Sequence, residues 1–73
     1  MNYSDEWIIA QWSEIRPSFK NASSALWALV EHMVDGEVAT GEYGGCTTDL
    51  ELAWAGHESR VKRVLSAAGI EVS

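Results

Sequence analysis

Cysteine and proline occur once each in this chain, as Cys46 and Pro17. One cysteine cannot close an internal disulfide, so a reducing compartment, the cytoplasm, is the simplest expectation. No C-x-x-C or H-x₃-H spacing is present, which removes the usual zinc frameworks. No run of eighteen apolar residues occurs, which argues against a membrane-spanning helix. The opening MNYSDEWIIAQW carries two acids and no base, unlike a signal or transit peptide. Bases are scarce throughout, with five Lys and Arg against eleven Asp and Glu and a net charge of −6. A duplex-binding domain wants a broad basic face, and this composition withholds one.

What remains suits a small folded domain. The 73 residues are 47% hydrophobic, too apolar for a disordered chain. They are few enough for one domain, 1–73, near the lower size limit for a single core. Four tryptophans supply large pieces for that core, each able to bury roughly 150–250 Å². The charge is uneven: residues 1–59 hold ten acids and two bases, whereas residues 60–73 hold Arg60, Lys62 and Arg63 against Glu71. An acidic body of this kind suits either plain solubility or a basic partner surface.

The periodicity predicts a mostly α domain of three to four helices, with α+β as the alternative. Ser4 or Asp5 caps a first helix whose apolar positions include Ile8, Trp12 and Ile15. Pro17 stops it near Arg16. Asn21 caps a second helix with a stripe at Leu26, Leu29, Val30, Met33 and Val34, and Asp35-Gly36 is expected to close it. Residues 37–45 then read as a short β-hairpin or extended loop, since Val38, Thr40 and Tyr43 are strand-like while Gly41, Gly44 and Gly45 interrupt them. Thr48 to Glu51 fits a capping box. It opens a helix through Leu50, Trp54, His57, Val61, Val64, Leu65 and Ala68, either bent at Gly56 or closely packed there. Gly69 is its expected stop, with Ile70 making the hydrophobic contact beyond. Residues 1–4 and 70–73 are expected to be loose.

Catalytic chemistry finds little support. The stretch GEYGGCTTD, residues 41–49, lacks the Lys of a phosphate loop, and Glu42 and Asp49 would repel a phosphate. Cys46 has only His32 and His57 as potential bases, and acidic surroundings raise a thiol's pKa rather than lower it. His32, Cys46, Asp49 and His57 are too poorly spaced to predict a metal site. His57 reads as a boundary residue bonded through a ring nitrogen. The pairs Asp35/Glu37 and Asp49/Glu51 are explained by turns and caps. No enzyme, cofactor or metal is expected. Trp27 and Trp54 are assigned to the core. Trp7 and Trp12, five apart, cannot both face it squarely, which leaves Trp7 as a candidate exposed anchor.

The length and the opening MNYSDEWIIAQW resemble a family of small phage-encoded regulators that bind host RNA polymerase. The resemblance implies a protein of the host bacterial cytoplasm that displaces σ, inhibits initiation and promotes antitermination. It implies binding near the β′ N-terminus and the β flap, with RNA close by. The family offers no motif to transfer, so the interface expectation comes from this sequence: Glu37, Val38, Thr40, Glu42, Tyr43 and Trp7 toward a protein partner, and Arg60, Lys62 and Arg63 toward RNA. A monomer without membrane attachment is expected. The alternatives are a small helical nucleic-acid-binding domain read through the last helix, and an inhibitor of a host defence complex.

Overall fold

In a computed structural model, the described residues are 3–41 and 47–72, with side chains described at all of these except 47–49. Three α-helices account for most of them: α1 (Asp5–Ile15), α2 (Ala22–Ala39) and α3 (Thr47–Ala67), with a 3-10 turn at Arg16–Ser18 between the first two.

Helix starts follow local chemistry. The Ser4 hydroxyl accepts the Trp7 amide at 3.1 Å, and the Asn21 side chain accepts the Ser24 amide at 2.8 Å. Each satisfies a donor that a helix N-terminus otherwise leaves open. Asp5 and Glu6 add negative charge to the positive end of α1. Pro17 lies at the start of the 3-10 turn, directly after α1 ends, as its ring geometry demands.

Two helix ends differ in how they were anticipated. At the end of α3, Gly69 takes a φ of 78°. The Ile70 amide donates to the Leu65 carbonyl at 2.8 Å and the Gly69 amide to the Ser66 carbonyl at 3.0 Å. This is the Schellman arrangement expected there. The end of α2 is a correction. It continues through Asp35-Gly36 to Ala39, and Gly41, with a φ of 77°, takes the left-handed position instead. Glu37, Val38 and Ala39 are therefore helical, and Thr40 and Gly41 form a turn, so the described part of residues 37–45 holds no strand. Residues 42–45, the rest of that expected hairpin, lie outside the described residues.

The glycine at position 36 has a packing reason. The Tyr3 hydroxyl donates to the Met33 carbonyl at 2.8 Å, and a Cβ at position 36 would stand 2.7 Å from that hydroxyl. The missing side chain makes room for the ring. Tyr3 is buried and Ser4 caps α1, while residues 1–2 of the stretch expected to be loose lie outside the described residues. Ile70 and Val72 also pack against the core, so the other terminal stretch is held in part.

The core is built from Ile8 and Trp12 of α1, the anticipated stripe of α2, and Val61, Val64 and Leu65 of α3. Helix α3 is continuous across Gly56, and nothing lies within 4 Å of a Cβ placed there. A break into two helices at Gly56 and, among the described residues, a close contact there are thereby set aside. Ser23 near the start of α2 shares a groove with Ser66 and Ile70 at the end of α3, and Val38 near the end of α2 shares one with Leu50. The two helices therefore run antiparallel. Among the described residues no helix is long and apolar enough to cross a membrane.

Candidate functional site

The tryptophans sort differently from expectation. Trp12 is buried, while Trp27 is 57% exposed. On a helical wheel Trp27 stands about 100° from the centre of the α2 stripe, which puts it outside the core. Its ring lies against that of Trp54, with centroids 5.5 Å apart and planes inclined by 52°. Trp54 is half-buried against the core. The pair is therefore a surface feature anchored on one side.

Around it runs a groove of about 710 Å³ between α2 and α3. Leu26, Val30, Trp27 and Trp54 line it, and Ile70 and Val72 contribute the wall formed by the C-terminal segment. A second depression of about 360 Å³ continues past Trp54 toward Val34, Val38 and Leu50. Both lie on the side of α2 remote from His32 and Gly36, which meet Trp7 and Tyr3 of the N-terminal segment. Positions 27 and 36 are about 180° apart around the helix. One side of the α2–α3 layer thus carries α1, and among the described residues nothing covers the other.

The expected site residues do not assemble. Glu37 is buried and hydrogen-bonded to the His57 imidazole. His57 is therefore the bonded boundary residue anticipated, but its partner is an acid assigned to an exposed edge. The edge expected at Glu37 is absent because α2 continues through it. Thr40 is exposed, with its hydroxyl donating to the Glu37 carbonyl at 2.9 Å. Glu42, Tyr43 and Cys46 lie outside the described residues. Trp7 is half-buried, close against Tyr3 at 4.4 Å and stacked on His32 at 6.1 Å between centroids. Of the described members of that set only Val38, 49% exposed, belongs to the open side of α2–α3.

The basic trio is largely engaged. Arg60 donates to the Asp5 carboxylate at 2.9 Å, and Lys62 pairs with Glu58 at 3.2 Å. Arg63 is exposed. Among the described residues no cluster of three or more His, Cys, Asp or Glu is placed to hold a metal ion.

Sequence reasoning missed Trp27. The signal was present: its offset from the α2 stripe placed it beyond the buried face. Its size argued for the core and prevailed. Comparisons with protein-family models, curated proteins and solved structures find no match to this chain.

Proposed function

We propose that this chain is a small non-enzymatic regulator that acts by binding a protein, with bacterial RNA polymerase as its partner. In this reading it inhibits initiation and promotes antitermination. The choice of polymerase rests on the resemblance of the opening sequence. The binding mode is supported by one observation above the others: Trp27 stands exposed against Trp54 in an open apolar groove. Tryptophan is enriched among residues that dominate protein interfaces. Leaving so large an apolar ring in water gains the fold little, whereas covering it with a partner gains roughly 25 cal/mol per Å² of apolar surface.

The reading predicts that the tagged protein retains the β and β′ subunits from a bacterial lysate. Added to purified holoenzyme, it should lower promoter-dependent initiation and raise terminator read-through. Capture of other proteins without polymerase, together with unchanged transcription, would discard the polymerase and keep only the binding class. The expected location is the bacterial cytoplasm, where the polymerase works.

A further inference from the structure

We infer that the α2–α3 groove is a receptor for a cationic amphipathic helix. This deepens the protein-binding reading above by naming the chemistry of the bound segment. The argument rests on the sign of the rim, the shape of the seam and the position of the aromatic pair.

The rim is acidic. Glu58 and Glu71 border the larger depression, and Asp35 and Glu51 border the smaller one. Among the described lining residues Lys62 is the only cation, and it is paired with Glu58 at 3.2 Å. An apolar strip between acidic margins complements a segment with one apolar face and Lys or Arg along its flanks. The same margins oppose the other occupants. A nucleic acid would bring phosphates against carboxylates. A second copy of this chain, with a net charge of −6, would bring like charge toward like.

The seam favours a helix. It lies between two antiparallel helices, on the side that α1 leaves open. Its α2 wall extends from Ser23 to Val38, a rise of about 22 Å, or four helical turns. A bound helix of that length would present apolar residues at positions i, i+3, i+4 and i+7. Trp54 lines both depressions and Trp27 rests against it in the larger one, so an apolar residue of the bound helix would rest on the pair. Ile70 and Val72 close one end, which fixes the extent of the seam.

The test is a titration of the isotope-labelled full chain, followed by amide and indole resonances. The probe is a synthetic amphipathic peptide of four to five helical turns, with leucines on one face and lysines on the other. Two controls share its length, one with the lysines replaced by glutamates and one with the leucines replaced by serines. The expected result is a set of shifts concentrated at Leu26, Trp27, Trp54 and Ile70, with both controls at least tenfold weaker. Trp27→Ala, an exposed position whose fold is checked by the same spectrum, should weaken the lysine peptide at least tenfold. Asp35→Lys with Glu51→Lys should weaken it as well. Equal binding of the serine control, shifts spread over the whole acidic surface, or no binding of the lysine peptide would overturn the inference. The two readings fail separately. Peptide binding in the groove without polymerase capture defeats the polymerase reading alone. Polymerase capture that survives Trp27→Ala, with no localised peptide binding, defeats the groove alone.

Discussion

The Tyr3 hydroxyl occupies the space that a side chain at Gly36 would need: a Cβ there would lie 2.7 Å away. That hydroxyl also donates to the Met33 carbonyl at 2.8 Å. A residue near the N-terminus is thereby fastened to the middle of α2, and a helix-weakening glycine is held in place by what packs on it. Helix propensity alone would favour Ala at position 36 by about 1 kcal/mol. The buried contact opposes this, because the ring must shift and its hydrogen bond must lengthen. Gly36→Ala should therefore lower stability by about 1 kcal/mol in urea unfolding. In a Tyr3→Phe background the same change should become neutral or stabilising. A Gly36→Ala effect that is identical in both backgrounds would remove the coupling.

Gly56 is the counter-example inside the same fold. It sits in the interior of α3, exposed, with nothing within 4 Å of a Cβ placed there. No contact opposes the propensity gain, so Gly56→Ala should raise stability by about 0.5–1 kcal/mol. The midpoint of urea unfolding should rise with the slope unchanged. A loss of stability would mean that the glycine serves a contact made only with a partner or in another state.

The Glu37–His57 bond joins the end of α2 to the middle of α3, with only 9% and 17% of the respective side chains exposed. Removing the imidazole leaves a buried carboxylate deprived of that partner. His57→Ala should cost about 0.5–1.5 kcal/mol for the lost hydrogen bond, with the lost packing of the ring in addition. Replacing both residues together with leucine should recover part of the loss, because the desolvation of the acid disappears with its charge. If the double variant is less stable than His57→Ala, the pair contributes more than its burial costs.

The tryptophans give a ranking rather than a single value. Trp12 is 3% exposed and Trp27 57%, with Trp54 between them. Trp12→Ala should cost about 3–5 kcal/mol, enough to unfold a domain of this size at ambient temperature. Trp27→Ala should change stability by less than about 1 kcal/mol, and Trp54→Ala should fall between. Thermal unfolding of the three variants tests the order. A large loss for Trp27→Ala would place it in the core and remove the anchor from the proposed surface.

What could be read from the sequence was local. Ser4, Asn21, Pro17 and Gly69 mark element ends through chemistry confined to a few residues, and the stripes of α1 and α2 depend only on spacing. What escaped was set by contacts distant in sequence. Gly36 reads as a stop signal, whereas its missing side chain makes room for Tyr3, thirty-three positions away. Glu37 appeared to be an edge acid because its partner, His57, lies twenty residues on. The hairpin expectation failed at its described part for the same reason, since Val38 and Thr40 have strand propensity but α2 had not yet ended. The groove was not legible because it is made by two helices, and only their antiparallel packing brings its acids to one rim.

Nucleic-acid binding through the last helix requires cations with charge to spare. Arg60 is committed to Asp5 at 2.9 Å and Lys62 to Glu58 at 3.2 Å. Both pairs have exposed members, so each is worth no more than about 1 kcal/mol of stability. Their effect on a passing phosphate is larger than their effect on the fold, because each acid stands where the phosphate would have to come. A phosphate must displace the acid or share its cation, within a body of net charge −6. Titration with single-stranded RNA at low and at near-physiological salt should therefore show a salt dependence of about one phosphate or less, against the two to three that a free basic trio would give. Asp5→Asn combined with Glu58→Gln releases both cations and should raise RNA affinity at low salt while leaving the fold intact. A wild-type dependence of two to three phosphates, lost on Arg60→Ala and Lys62→Ala, would mean that the ion pairs open for RNA and that the last helix is a nucleic-acid surface after all.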